Sequence, residues 1–528
     1  MKKKVNQWIN LIKSGRLNAI LKKATVADIG LLCDVGEWFH DKKAFGISQK
    51  IFQRITELDP KHAYAWFKTG YALDELKRYK EAIRCYNQAI KLDPKDNVAW
   101  VNKGFAFSNL GKYNEAIFCY NRAIWIDPKY WLAWLNKGCD LANLESHKAA
   151  IICYDKSIKL NPKYVKAWYN KGNALEELGR FEAAIACYNR ALRLNPKHVM
   201  ALNNKGLVLN SLGKPTAAIM CYNQAIKLDP KKSLVWYNKG LALDDLKKCK
   251  EALVCFNKVL ELDPKDYQAM VDKGNQLDNL GKPKEAIILY NQAIRLNRSY
   301  LLAWYNKGVV LANLGRHREA IACYTQTLKL DPKYPHAWVT KGYELGQLDR
   351  YADAIECFNK AIRLNPKDAK IWDNKGYILG KLNKTRQELA CYTQMVKLEP
   401  KNADAWYNKG YVLGKLKRYR EEIACYNQAI KLNPKFADAW LNKGEAYKKL
   451  NKYQTALSCY HRVLMIIPQD DYAWYDIACV YTLQGKKEPA LSHLAKAIKF
   501  NIKNKQDAKT DKDFATLWQD KEFKKLVK

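Results

Sequence analysis

Metal-ligand spacings and long apolar runs are both missing from this chain. No C-x2-C or H-E-x2-H spacing occurs and the eight histidines are scattered, so no metal site is expected. No segment approaches the roughly 18 apolar residues of a membrane helix, and Met1 to Lys13 breaks its apolar residues with Asn6, Gln7 and Asn10. Neither a signal peptide nor an anchor is read there, and the cytoplasm is the expected location. Acidic residues are also scarce: 53 Asp and Glu stand against 91 Lys and Arg, a net charge of +38. That balance by itself suits nucleic acid, an anionic membrane surface or acidic proteins, but where the charges sit matters more than their sum.

What the chain has is a repeat. Steps of 34 residues from Trp66 reach Trp100, Trp134, Trp168, Trp236, Trp304, Trp338, Trp372, Trp406, Trp440 and Trp474, with Leu202 and Met270 in the two gaps. Four residues after these stand Gly70, Gly104, Gly138, Gly172, Gly206, Gly240, Gly274, Gly308, Gly342, Gly376, Gly410 and Gly444, then Ala478; seven after come Leu or an aromatic such as Phe107 and Tyr481. Offsets of zero, four and seven share one face of a helix, predicting an amphipathic helix A in each unit. Leu110-Gly111, Leu178-Gly179 and Leu314-Gly315 end it, glycine supplying the left-handed cap. A helix B follows, with Ala184, Ile185, Tyr188, Ala191 and Leu192 at helical spacing, and stops before Pro196.

This W-x2-K-G-x2-L, A-I-x2-Y-x2-A, D/N-P pattern resembles the tetratricopeptide repeat (TPR). With the tryptophan as position 4 and the proline as position 32, thirteen repeats are expected over 63–504, preceded by a degenerate one over 29–62 with Gly36, Phe39, Phe52 and Pro60 in register. The resemblance implies an all-α, right-handed solenoid superhelix of about fourteen units. A hairpin cannot bury its own apolar face, so units must stack. Segment 1–28, where Lys2, Lys3, Lys4, Lys13 and Arg16 alternate with Trp8, Ile9, Ile12 and Leu17, is read as a capping helix rather than a membrane-surface helix. Segment 505–528, with Phe514, Leu517, Phe523 and Leu526, is read as the closing cap; Ala478 and Leu494 depart from the pattern nearby.

Eleven of the fifteen cysteines occupy position 23, from Cys85 to Cys459, and read as reduced packing residues. Lys or Arg fills position 16 in twelve repeats and position 29 in ten, at helix C-terminal ends, where cations complement the dipole. Position 7 is Lys in eleven, with no spacing rule to say which surface it reaches.

The family resemblance places positions 2, 5, 6, 9, 12 and 13 of helix A on a concave, ligand-facing surface. Position 6 is Asn102, Asn136, Asn170, Asn204, Asn238, Asn306, Asn374, Asn408 and Asn442. An amide donates and accepts at once, so such a file can hold a peptide backbone, and it resembles the asparagine ladder of the repeat domain of O-linked N-acetylglucosamine transferases. The other reading of these residues is that each bonds a neighbouring helix. Beside them stand Tyr169, Tyr237, Tyr305 and Tyr407 at position 5, with Tyr343, Tyr377 and Tyr411 among those at position 9, an aromatic wall or inter-repeat packing. Positions 12 and 13 run acidic early (Asp74, Glu176, Asp244, Asp278) and basic late (Lys381, Lys415, Lys448, Lys449), which would orient a ligand with two unlike ends. The family's carboxylate clamp for chaperone tails is not assembled.

The expectation is a scaffold that binds extended or helical segments of other proteins, with no cofactor and no catalysis, since neither terminal segment is long enough for a catalytic domain. The alternative is RNA or single-stranded nucleic acid along a basic surface.

Overall fold

The 34-residue period becomes two helices and two turns in the computed structural model, which describes residues 2–528. From Ala63 to Phe500, 13-residue A helices such as Asn97–Asn109 alternate with 14-residue B helices such as Tyr113–Ile126, and no strand occurs among the described residues.

Each helix A ends on a residue with positive φ at position 15. The N–H of position 16 then returns to the carbonyl of position 11, as Lys112 does to Phe107 at 3.0 Å and Arg78 to Leu73 at 2.8 Å. Gly111, Gly179, Gly213, Gly281 and Gly315 hold this conformation as expected, but Lys77, Glu145, Lys247, Asp349, Asn383, Lys417 and Asn451 adopt it too, at φ between 54° and 60°. The returning hydrogen bonds hold the turn even where a Cβ makes it cost about 1 kcal/mol.

Tryptophan at position 4 does more than fill space. Its indole N–H donates to the carbonyl of the proline that ends the preceding repeat, at 2.9 Å for Trp168 to Pro162 and 3.0 Å for Trp236 to Pro230, and even to Arg298 from Trp304 at 3.1 Å. The position-7 lysine lies over the same ring in eight repeats, 4.7 Å from Trp440 for Lys443 and 5.8 Å from Trp304 for Lys307. These lysines therefore sit beside the tryptophans and near the buried cysteines of position 23, as Lys103 does to Cys119.

Glycine at position 8 is required by contact. A Cβ on Gly172 would lie 2.5 Å from Tyr188 Cε1, and one on Gly36 would lie 2.8 Å from Phe52 Cε2. The ring at position 24 lies directly on helix A and is fully buried in most repeats. Ala478 and Leu494, the two departures, belong to one buried cluster, the shorter leucine leaving room for the alanine methyl.

The chain divides into two compact units, one ending at Ala269 and one beginning at Met270. Within each, B helices pack on the next A helix, as Tyr79–Leu92 does on Asn97–Asn109, and A helices also touch one another, as Ala63–Glu75 touches Asn97–Asn109 and Ala369–Lys381 touches Pro335–Gln347. In the first unit Ile9 and Ile12 of helix Lys2–Lys13 are buried with Leu32, Val35, Ile51 and Phe52, so the apolar face of that basic helix is spent on the protein itself. In the second, Phe514, Phe523 and Val527 are buried against Ala490 and Leu494. No helix among the described residues is long and apolar enough to cross a membrane.

Candidate functional site

Side chains at position 6 stand beside helix A of the repeat before, so an amide there has two calls on its hydrogen bonds. Six asparagines give an N–H to that neighbour. Asn204 donates to Tyr169 Oη (3.1 Å) and Asn173 Oδ1 (3.0 Å), Asn238 to Asn203 Oδ1 (2.9 Å), and Asn170 to Cys139 Sγ (3.2 Å). In the second unit Asn306 donates to Asn275 Oδ1 (2.9 Å), Asn408 to Asp373 Oδ1 (3.5 Å) and Asn442 to Tyr407 Oη (3.0 Å). Asn102 donates instead to the Val98 carbonyl of its own helix at 2.9 Å. Asn136 is half-buried, and Asn374 lines a pocket described below.

The position-5 tyrosines are half-buried against other rings. Tyr169 lies against His198 with ring centres 4.9 Å apart, Tyr305 edge-on to Tyr334 at 5.2 Å, and Tyr407 against Phe436 at 4.9 Å, each partner capping the next A helix; Tyr237 meets Phe256 of its own repeat at 5.9 Å. The rings that face outward are those of position 9: Tyr343, Tyr377 and Tyr411 are 51%, 56% and 49% exposed.

These three tyrosines open a row of adjoining pockets along the A helices of the second unit. One, of about 180 Å³, lies between Tyr343, Gly346, Asn374, Tyr377 and Lys381. The next, of about 410 Å³, lies between Tyr377, Gly380, Lys381, Tyr407, Asn408, Tyr411 and Lys415. The third, of about 230 Å³, is bounded by Tyr411, Gly414, Lys415, Tyr419, Asn442 and Lys449. Each shares a tyrosine and a lysine with the next. The recurring element is a tyrosine at position 9 followed by a glycine at position 12, found in three consecutive repeats as Tyr343 with Gly346, Tyr377 with Gly380 and Tyr411 with Gly414; in the other repeats position 12 carries a side chain.

Glycine at position 12 has a partner that composition does not reveal. Position 20 is alanine from Ala82 to Ala354 but becomes Glu388 and Glu422 where position 12 is Gly380 and Gly414. A Cβ on Gly380 would lie 2.7 Å from Glu388 Oε1, and one on Gly414 would lie 2.6 Å from Glu422 Oε1. The missing side chain is the space the carboxylate occupies. In the first unit the acid comes from position 12 itself: Glu176 accepts from Tyr188 Oη at 2.6 Å, and buried Asp74 has its carboxyl pushed up to about 7 by desolvation and by Glu75 beside it. Glu422 takes the corresponding place next to the Tyr426 hydroxyl, its carboxyl likewise pushed up to about 7 by burial.

The expected change from acidic to basic along positions 12 and 13 is therefore incomplete as a description of charge. Beneath the late lysines the floor remains acidic. Lys415 Nζ is 3.2 Å from Glu388; Lys449 is 3.2 Å from Glu445; Lys448, almost fully buried, meets Glu445 (2.7 Å), Asp476 (3.0 Å) and Asp513 (3.2 Å). The signal that would have found Glu388 and Glu422 was available, an acid at a core alanine position coupled to glycine eight residues earlier.

All fifteen cysteines are free, and burial raises the thiols of the position-23 column above their ordinary range. Cys479, Asp511 and Asp513 come close enough to hold a metal ion, a grouping no spacing rule foresaw. Lys448 is already bonded to Asp513, and burial holds the Cys479 thiol well above its ordinary pKa, so this corner is built as an ion-paired closure of the last helices.

Stacked helical hairpins with pockets on one helical layer define a repeat scaffold for protein interactions. Models of the tetratricopeptide repeat match residues 98–130, 165–198, 199–232, 233–266, 302–334, 335–368 and 437–470, with related models matching 63–96, 133–164, 403–436, 255–288 and 357–390. These cover more than half of the chain, which belongs to the tetratricopeptide repeat family, one of scaffolds that bind other proteins and typically lack catalytic activity. A model of the protein prenyltransferase alpha subunit repeat also matches 385–416, inside the same helical array. No curated protein matches the chain. Among solved structures, YrrB, a TPR protein with an unusual peptide-binding site, is 23% identical over 36% of this chain and 97% of its own, with a TM-score of 0.32. The Cut9-Hcn1 hetero-tetramer of the APC/C is 15% identical over 88% of this chain and 96% of its own (TM-score 0.36), and MamA is 27% identical over 31% and 96% (TM-score 0.30).

Proposed function

We propose that the chain binds extended segments of partner proteins along its A-helix face, with the row of pockets from Tyr343 to Lys449 as the principal contact surface. The observation that carries this reading is the row itself: three adjoining pockets repeat at one-unit intervals, each walled by an exposed tyrosine and floored by polar groups. Exposed rings that are rigid and amphipathic give contact area at little entropic cost. In this reading the asparagines act in two ways, holding successive A helices in register through their N–H groups and presenting carbonyl oxygens to backbone N–H groups of the bound segment. Asn374, Asn408 and Asn442 lie in the pocket walls and are the ones assigned to the ligand. The protein works in the cytoplasm, where its fifteen thiols stay reduced.

Binding of single-stranded nucleic acid is the lesser reading. The tryptophan rings are overlaid by the position-7 lysines, as Trp372 is by Lys375 at 5.5 Å, and the exposed position-9 tyrosines border pockets that carry Glu388, Glu422 and Glu445, carboxylates that repel a phosphate backbone. The test is selection of a random dodecapeptide display library on the full chain. Enriched peptides should lose about tenfold in affinity on Tyr377→Ala or Tyr411→Ala and depend weakly on salt. Failure to enrich any peptide, with homopolymer RNA bound steeply salt-dependently instead, would overturn the reading.

A further inference from the structure

Glu388 and Glu422 are built alike, each rising from position 20 into the space a position-12 glycine leaves, yet they end differently. Glu388 is satisfied by the chain's own ammonium, Lys415 Nζ reaching its two oxygens at 3.2 and 3.5 Å from position 13 of the next repeat. The equivalent residue for Glu422 is Lys449, and that lysine bonds Glu445 instead. Glu422 is only 7% exposed, and its Oε2 has no hydrogen-bond partner. The residue belongs to the wall of the 230 Å³ pocket between Tyr411, Tyr419 and Lys449.

We propose that this pocket is the subsite for one basic side chain, lysine or arginine, of the bound polypeptide, whose cation takes the place on Glu422 that Lys415 takes on Glu388. The proposal rests on the peptide-binding reading above and adds the chemistry of one position. The acidic groups of the wall favour this occupant. The Tyr426 hydroxyl stands beside the Glu422 carboxylate, whose Oε2 is left unmatched. Glu445, on the next A helix, adds a second negative charge to the wall, which the Tyr419 ring also borders, while the Tyr411 ring already carries Lys415 Nζ 4.7 Å from its centre. Among the described residues, Lys415 and Lys449 are the cations that line the pocket, and both are engaged by other carboxylates. A buried carboxylate without a counter-charge is disfavoured in the free protein and repaired by a donor from the ligand.

The peptides enriched on the full chain supply the probe. The expected result is a lysine or arginine at one fixed position, with replacement of that lysine by norleucine, its uncharged isostere, weakening binding at least tenfold. Glu422→Gln should abolish the difference between the two peptides while leaving the norleucine peptide bound as before. Glu422→Ala, which restores the residue other repeats carry, should do the same and guards against a folding artefact. Enriched peptides without a basic residue, or a lysine preference unchanged in E422Q, would overturn this subsite while the peptide-binding reading stands. Enrichment of no peptide at all would overturn both. Spermine displacing the lysine peptide and binding equally well alone, with the same dependence on Glu422, would assign the site to free amines and overturn the polypeptide assignment.

Discussion

The indole N–H of Trp338 donates to the carbonyl of Pro332 at 2.9 Å, so the first turn of one repeat is bolted to the last loop of the one before. Trp338→Phe keeps an aromatic ring but leaves that carbonyl without its donor. It should weaken the junction by about 1 kcal/mol. In a stack whose stability is a sum of local terms, the effect should appear as faster amide exchange in helix Pro335–Gln347 and not as a shift of the whole transition. Uniform protection in the variant would count against the role given to the indole.

Position 8 and position 24 should be exchangeable only together. Gly172→Ala puts a methyl 2.5 Å from the Tyr188 ring and should destabilise by about 1 to 3 kcal/mol, the range for overpacking a filled core. Adding Tyr188→Leu should recover part of that loss, because Ala478 and Leu494 already coexist in one buried cluster. Denaturant titration of the two single variants and the double variant checks the coupling, and strictly additive losses would refute it.

Lys247 holds φ at 57°, where glycine is unstrained. Lys247→Gly should therefore be neutral or stabilising by up to about 1 kcal/mol, the relief of strain set against the freedom glycine adds to the unfolded chain. The same change at Lys248, the neighbour outside the left-handed position, should not stabilise. Melting temperatures of the two variants separate the cases.

Glu422 gives the pH dependence a definite sign. Its carboxyl is pushed up to about 7 in the folded protein from an ordinary value of 4.5, so it contributes nothing below pH 4.5. Between there and pH 7 the unfolded chain sheds the proton first and the folded state loses stability, by at most about 3 kcal/mol. Glu422→Gln should leave stability unchanged at about pH 4 and raise it at about pH 8, on either side of that window, as followed by chemical denaturation. A variant that is equally or less stable than the parent on the alkaline side would show that the carboxylate is not the burden its burial implies.

Lys448 stands at the opposite extreme, a nearly buried ammonium holding Glu445, Asp476 and Asp513. Lys448→Met leaves Asp476, its side chain 20% exposed, without its counter-charge and should cost about 3 kcal/mol, concentrated in the closing helices. Proteolysis should then begin within residues 505–528. Resistance equal to the parent's would place the closure in the apolar contacts of Phe514 and Phe523 alone.

The sequence by itself determined the helices, their pairing and their stacking, because a strict 34-residue period carries the same apolar face, glycine and proline into every unit, and each unit can bury that face only against its neighbour. It also named the position-6 asparagines and left two uses open for them. Only the tertiary structure decided where their N–H groups go, since the acceptors Tyr169, Asn173 and Tyr407 lie 31 to 35 residues back on another helix. The acidic floor was hidden for the same reason. Glu422 sits at a position that elsewhere belongs to the core, and its arrival in a pocket depends on Gly414, a residue of the facing helix, being too small to keep it out.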